Sequence, residues 1–122
     1  MLSATYKGFT RSYATGGNAI TFWAYPTHDD EYLRGTLCHE TGHYIDRQIA
    51  TSKVRYSDEF EWQDAITLDY RSSGQAHPSK YAANSNGEDF AESVKGYAMD
   101  KDSFAKQFPA RSGILDRIFG VV

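Results

Sequence analysis

The sequence predicts an α+β fold that is mainly helical, with a short β segment placed before a long helix. The residues AITFWAY at 19–25 favour a β-strand, whereas most of the later chain carries apolar residues at the spacing of amphipathic helices. With 122 residues, 40% of them hydrophobic and 24% charged, the chain has the composition of a folded globular protein. We therefore predict a single domain covering residues 1–122.

Two local signals define the first part of the chain. The Gly-Gly pair within TRSYATGGN predicts a turn over 10–18, immediately before the strand. A helix is predicted next, over about 30–50, because Asp29 or Asp30 can act as its N-cap and the residues that follow suit a helix.

Further helices are predicted in the second half of the chain. Ser57 or Asp58 can cap a second helix, which ends near Arg71 before a long loop. Asn86 can cap a third helix with the sequence GEDFAESVKGYAM. The remaining predictions are a short helix over 102–108, an interruption at Pro109, and a last short helix over 114–119 capped by Ser112.

Charge and hydropathy exclude several classes of protein. The net charge of −3, with scattered Lys and Arg, predicts no nucleic-acid binding. No apolar run approaches the ~20 residues of a membrane span, and the start MLSATYKGF lacks the apolar stretch of a signal peptide. The chain as given is expected to be soluble and monomeric. Cys38, the single cysteine, excludes an internal disulfide and is predicted to pack in the core.

The segment HETGH at 39–43 is an H-E-x-x-H motif. On a helix, His39 and His43 are one turn apart, so their rings project side by side toward one ion. Glu40 lies about 100° around the helix from His39, where it can reach a metal-bound water as a general base. The motif therefore predicts two metal ligands and a catalytic carboxylate.

A catalytic zinc site needs a third protein ligand and an open fourth position. The candidates are Glu88, Asp89 and Glu92 on the third predicted helix, and His77 in the preceding loop. Glu88 and Glu92 are one helical turn apart, so one could bind the metal while the other supports it. A loop histidine such as His77 is more often exposed than a ligand.

Three parts of the sequence share the pattern of a known family: H-E-x-G-H-x-x-D at 39–46, Tyr81, and E-x-F-A-E at 88–92. They resemble the anthrax lethal factor-type gluzincins, to which the clostridial Pro-Pro endopeptidases look related. The resemblance implies a zincin-like metallopeptidase domain that binds Zn²⁺, cleaves a peptide or protein substrate and is secreted or extracellular. In zinc peptidases with the same order of strand and active-site helix, the strand lies at the edge of the sheet and pairs with the substrate. By analogy, the strand predicted here is expected to be such an edge strand.

The resemblance also implies roles for individual residues. Glu88 would be the third zinc ligand, and Tyr81, seven positions before it, would donate a hydrogen bond to the oxyanion. Glu92 would hydrogen-bond a zinc-bound histidine and hold its tautomer. Asp46 would lie near His43 and orient polar groups there.

These residues predict a zinc-dependent metalloendopeptidase, in which Glu40 takes a proton from the attacking water and passes it to the leaving amine. One alternative is a non-catalytic protein-binding module that keeps the zinc site for stability, although such a site needs no base at position 40. Another is a toxin or effector peptidase directed at a single protein, which would share the same chemistry. The cleavage preference and the cellular compartment do not follow from the sequence.

Overall fold

The computed structural model describes residues 2–5, 13–16, 19–23, 29–51 and 53–120, and these residues are mainly helical. This confirms the predicted helical character of the chain. The α-helices of the described residues are α1 Asp30–Gln48, α2 Phe60–Ser73, α3 Asn86–Met99, α4 Lys101–Gln107 and α5 Pro109–Ile118, and two 3-10 helices cover Tyr56–Asp58 and Tyr81–Asn84. In the part of the chain described, none of the helices has the length and apolar character that crossing a bilayer requires.

The part of the chain described before α1 contains three short strands: β1 Leu2–Thr5, β2 Tyr13–Gly16 and β3 Ala19–Trp23. β3 pairs in parallel with β1 and antiparallel with β2, which gives the order β1-β3-β2. β3 lies within the segment predicted as a strand. It has a neighbouring strand on each side, so it is not the predicted edge strand. β2 forms where a turn was predicted, and the rest of that predicted turn lies outside the described residues.

The helix starts differ in how far they depend on local sequence. Asp29 caps α1 as predicted, since its Oδ1 accepts from the Tyr32 amide at 2.7 Å. The predicted caps of α2, Ser57 and Asp58, are wrong, since α2 begins after Glu59. Both residues belong to a 3-10 helix, and the Ser57 amide donates to Asp46. α3 is capped by Ser85, one residue before the predicted Asn86.

Pro109 begins a helix instead of interrupting one. It occupies the first position of α5, where a missing N–H costs nothing because that group would have no partner within the helix. Ser112 is consequently inside α5 and buried, and its amide donates to the Phe108 carbonyl at 2.9 Å. The predicted break at Pro109 and the predicted cap at Ser112 are therefore wrong.

The main core lies where α3 packs against the helices that follow and precede it. α3 contributes Phe90, Val94 and Tyr97 from one face. Burying side chains of this size supplies most of the favourable free energy of folding, at roughly 1.5–3 kcal/mol for each. The other fully or nearly buried members of the core are Tyr56, Trp62, Phe104, Phe108 and Leu115.

α1 crosses α3 at very short range. A Cβ atom added to Gly42 of α1 would lie 2.7 Å from the Ala91 Cα of α3. The absence of a side chain at position 42 thus allows the two backbones to touch. This close crossing brings the histidines of α1 opposite the carboxylates of α3.

Candidate metal centre

His39, His43 and Glu88 meet at one point between α1 and α3. Oε1 of Glu88 lies 3.0 Å from Nε2 of His39 and 2.9 Å from Nε2 of His43. One ligand atom from each of the three residues lies within 4.8 Å of the others, so the group could hold a metal ion. The group thus combines the two histidines of the H-E-x-x-H motif on α1 with Glu88, one of the four candidates for the third ligand.

The Glu92 carboxylate fixes the orientation of the His39 ring. Its Oε2 lies 2.8 Å from Nδ1 of His39. Burial raises the pKa of Glu92, but hydrogen bonds from His39 and Ser79 outweigh this effect and lower that pKa to about 2. An ionised carboxylate can only accept, so Nδ1 must be the donor. Nε2 is then the nitrogen of His39 that faces Glu88 and is available to a metal.

The two histidines differ in how easily they take up a proton. Burial lowers the pKa of His39, but its hydrogen bond to Glu92 and the surrounding carboxylates raise that pKa above its usual value. Burial lowers the pKa of His43, and the Glu88 charge does not fully compensate. Metal binds neutral imidazole, so binding at His39 competes with a proton, whereas His43 already favours the binding form.

These contacts satisfy the chemical requirements of a metal site. Two imidazole nitrogens and one carboxylate oxygen converge, which is a donor set found in catalytic zinc sites. The hydrogen bond from Nδ1 of His39 to Glu92 is the support that metal-bound histidines usually have. The residues present therefore fit a zinc ion.

Glu40 lies beside the ligand group without being part of it. The residue is only 2% exposed, and its Oε2 lies 4.0 Å from Nε2 of His39. Glu40 also lines a pocket of about 340 Å³ that extends from the site along α1 and α3. A buried carboxylate facing a pocket next to a metal site is placed to exchange a proton with a molecule bound there.

Tyr81 approaches the site from the 3-10 helix Tyr81–Asn84. Its ring centroid lies 5.6 Å from that of His39, and it lines the same pocket as Glu40. About half of the residue is open to solvent, with 49% of Tyr81 exposed. Burial and the nearby Glu88 carboxylate raise the pKa of Tyr81, so its hydroxyl keeps its proton and can donate it to a hydrogen bond.

Asp46 is fully buried and joins α1 to the following segment. Its two carboxylate oxygens accept from the amide and from Oγ of Ser57, both at 2.7 Å. Burial raises the pKa of Asp46 even though these hydrogen bonds oppose the shift. The charge of Asp46 acts on His43, whereas its carboxylate accepts hydrogen bonds from Ser57. Asp46, one turn after His43, thus ties α1 to the 3-10 helix that contains Ser57.

The other ligand candidates are engaged elsewhere. Asp89 points away from the metal group and accepts from Nε1 of Trp62 at 2.9 Å. His77 lies 2.8 Å from the Asp89 carboxylate and is not a member of the metal group. Cys38 is partly buried, and burial raises the pKa of its thiol, which fits the predicted packing role better than that of a nucleophile.

Sequence reasoning missed two residues next to the site. Ser79 donates from Oγ to Oε1 of Glu92 at 2.7 Å. Lys95 places Nζ 3.9 Å from Oε2 of Glu92 and lines the pocket. The i, i+3 spacing of Glu92 and Lys95 on α3 is a signal that could have indicated the second contact. No local pattern identifies Ser79, because the contact depends on the path of the loop.

Comparisons of the chain with protein-family models, curated proteins and solved structures gave no match.

Proposed function

We propose that this protein is a zinc metalloendopeptidase that hydrolyses peptide bonds with Glu40 as the general base. The observation that carries the proposal is the convergence of His39, His43 and Glu88, with the buried Glu40 carboxylate 4.0 Å from Nε2 of His39. A site that served stability alone would need the three ligands but would gain nothing from a buried carboxylate beside them. The zincin-like fold and the family resemblance are part of the same proposal.

Zinc is the proposed metal because the donor set is His₂Glu, and catalytic zinc sites combine three such protein ligands with a fourth position open to water or substrate. When bound, zinc would lower the pKa of a water molecule and polarise the substrate carbonyl. His39, His43 and Glu88 would hold it, and Glu92 would keep Nε2 of His39 directed at it. All of these residues belong to one chain, so the proposed site needs no residue from a second subunit.

Glu40 transfers the proton, and Tyr81 stabilises the negative charge that develops on the substrate. The Glu40 carboxylate takes the proton from the water that attacks the carbonyl carbon, and the same group later returns it to the leaving amine. The Tyr81 hydroxyl donates a hydrogen bond to the carbonyl oxygen, where negative charge develops as the new C–O bond forms. Both side chains line one pocket, so a single bound peptide can reach both.

The pocket is open at the side, which suits a peptide passing through better than a small molecule enclosed on all sides. Beyond the metal group its lining continues through Tyr32, Gly35 and Thr36 of α1 and Lys95 of α3. An adjoining pocket of about 310 Å³ shares these four residues and extends to Met99. Two connected pockets along the helices give room for residues on one side of the scissile bond.

The experiment has two parts, and the first measures metal. Elemental analysis of wild type should give about one zinc per chain, and Glu88→Ala should lose most of it because one of three ligands is removed. Glu61→Ala is the matched control, since Glu61 is an exposed glutamate on α2. A wild-type protein that takes up no zinc even when zinc is added would overturn the proposal.

The second part measures turnover on a mixed peptide library by mass spectrometry. Glu40→Gln should retain zinc and lose activity by about 10²–10⁴-fold, since it keeps the shape of the side chain but cannot accept the proton. If the zinc-loaded wild type cleaves no peptide or protein offered, the non-catalytic binding module becomes the better description. Cleavage of one protein in a proteome, but not of short peptides, would indicate an effector with a single target.

A further inference from the structure

We propose that Ser79 is a positioning residue of this site, which holds the Glu92–His39 pair and the Tyr81 segment in one fixed arrangement. The inference rests on the proposed zinc site, because it concerns how a ligand of that site is oriented. It adds a residue that lies outside the H-E-x-x-H motif and outside the carboxylate helix. Its basis is a chain of hydrogen bonds that passes through the Ser79 hydroxyl.

The directions of these hydrogen bonds are determined by chemistry. The Ala82 amide donates to Oγ of Ser79 at 3.1 Å, since an N–H can only donate. The Ser79 hydroxyl donates in turn to Oε1 of Glu92 at 2.7 Å, because the ionised carboxylate can only accept. The other oxygen of Glu92 accepts from Nδ1 of His39 at 2.8 Å. One hydroxyl thus connects a loop amide to a metal-ligating ring.

Toward the metal group, Ser79 donates a hydrogen bond to the Glu92 oxygen that His39 does not bind. The Glu92 side chain is only 11% exposed, so a carboxylate oxygen that loses its partner there carries a desolvation cost. Lys95 is a weaker partner, with Nζ 3.9 Å away and on the oxygen that His39 already occupies. Without the Ser79 hydroxyl, the carboxylate would rotate to recover hydrogen bonds, and the His39 ring would lose its fixed support.

On the side of the substrate, Ser79 anchors the start of the 3-10 helix that carries Tyr81. Ala82, the residue whose amide Ser79 binds, is completely buried. Tyr81 is its direct neighbour and faces the same ring, His39, that Glu92 supports. The distance between the Tyr81 hydroxyl and the metal ligands therefore depends on a bond to the same serine.

A second anchor of this loop allows the two effects to be separated. His77 binds Asp89 on α3 at 2.8 Å, so it holds the loop without touching Glu92. A general loosening of the loop would follow from the loss of either anchor. The loss of support for His39 would follow only from the loss of the Ser79 hydroxyl.

The test compares Ser79→Ala with Ser79→Thr, which keeps the hydroxyl, and with His77→Ala. Ser72→Ala is the control for removing a serine hydroxyl elsewhere, because among the described residues the Ser72 hydroxyl donates to the Asp69 carbonyl of its own helix. The zinc dissociation constant is measured by competition with a chromophoric chelator. Amide hydrogen exchange of Ala82 is measured on the metal-free protein, and kcat and KM on a peptide that the wild type cleaves.

Ser79→Ala should weaken zinc binding about 10–100-fold, as the loss of support for a metal-bound histidine does elsewhere. It should also speed exchange of the Ala82 amide and lower kcat more than it changes KM. Ser79→Thr should restore zinc affinity, and His77→Ala and Ser72→Ala should leave it near the wild-type value. If Ser79→Ala does not fold, Ser79→Cys replaces it, since a thiol is a much weaker donor of similar size.

Wild-type zinc affinity and kcat in Ser79→Ala would overturn the inference while leaving the zinc site intact. Equal losses in Ser79→Ala and His77→Ala would overturn it as well, because they would assign the effect to the loop as a whole. Failure of the wild type to bind zinc would instead refute the proposed function. Exchange of the Ala82 amide would still decide whether Ser79 fixes the Tyr81 segment.

Discussion

The Glu92 carboxylate supports His39, one of the three residues that could hold a metal ion, without belonging to that group itself. Its two oxygens have different tasks: Oε2 accepts from His39 and Oε1 accepts from Ser79. Both hydrogen bonds favour the ionised form, which is why the pKa of Glu92 falls to about 2 despite burial. The folded protein therefore keeps Glu92 ionised, and the same charge supports His39 in the proposed site.

The metal-free protein should lose stability in acid through Glu92. Its pKa falls from a usual 4.5 to about 2 on folding, so the folded state holds this proton more weakly than the unfolded chain does. The stabilisation is complete above pH 4.5 and is lost as the pH falls toward 2, and it amounts to roughly 3 kcal/mol. Urea unfolding of chelator-treated protein across this range measures it.

Glu92→Gln is the variant that isolates this effect. It keeps the size of the side chain but cannot ionise, so its stability should change less with pH between 4.5 and 2 than that of the wild type. Parallel curves for the two proteins would mean that Glu92 is not the group responsible. Glu31→Gln gives a comparison with an exposed glutamate of α1.

At the scale of single residues, the sequence identifies those that follow from helical spacing. His39 and His43 are one turn apart on α1, and Glu88 and Glu92 are one turn apart on α3, so each pair shares a face once the helix forms. The choice of Glu88 for the metal group and Glu92 for His39 came from the family resemblance. Ser79 could not be predicted in this way, because a loop has no fixed period.

At the scale of helices, Gly42 determines how closely the two halves of the site approach. It lies within the motif between the two histidines, and its missing side chain faces the backbone at Ala91. The Ala91 carbonyl oxygen and Cβ of Val94 each lie 3.2 Å from the position that an added Cβ would take. A side chain at position 42 would therefore clash with backbone atoms and a Cβ atom, which cannot rotate out of its way as the end of a flexible side chain can.

Gly42→Ala should push α1 away from α3 and weaken zinc binding. The contact of 2.7 Å with Ala91 Cα must be relieved by backbone movement, for which overpacking costs of about 1–3 kcal/mol are typical. The higher helix propensity of alanine, worth up to about 1 kcal/mol, offsets only part of this cost. Urea unfolding of metal-free protein and chelator competition for zinc measure the two effects.

Gly113→Ala is the matched control, since Gly113 also lies within a helix but an added Cβ there meets no atom within 4 Å. This substitution should stabilise the protein by about 0.5–1 kcal/mol and leave zinc affinity unchanged. If Gly42→Ala were also stabilising, the close crossing of α1 and α3 would not be required for the site.

The boundaries of the helices show which signals are local. Asp29 caps α1 as its sequence predicts, because the cap involves residues only three positions apart. Ser57 has the same chemical type but binds Asp46, eleven residues away, so it does not cap α2. Pro109 is compatible with either a break or a helix start, and only the packing of α5 decides between them.

At the scale of the whole molecule, one buried arginine joins three helices and a loop. Arg111 of α5 is completely buried and binds Asp89 of α3 through Nε and Nη2, at 3.0 and 2.9 Å. Its Nη1 binds Asp69 of α2 at 3.0 Å, and Nη2 also donates to the Ala76 carbonyl. Because Asp89 is adjacent to Glu88, this network also holds the start of α3, which carries Glu88 of the candidate metal group.

Arg111→Met should therefore destabilise the protein far more than the loss of an exposed arginine does. Methionine keeps the apolar stem but leaves two buried carboxylates, Asp69 and Asp89, without their cation, and such losses cost about 3–5 kcal/mol. Since a domain is usually stable by only about 5–15 kcal/mol, a large part of the folding free energy would be lost. Thermal and urea unfolding measure the change.

Arg117→Met is the control on the same helix. Arg117 pairs with Glu61 at the surface, where 61% of the arginine side chain is exposed, and exposed ion pairs contribute at most about 1 kcal/mol. A similar loss of stability in both variants would mean that burial of the Arg111 network is not what matters. A large loss in Arg111→Met alone would show that α3 is held in place by a buried charge cluster that lies outside the H-E-x-x-H motif.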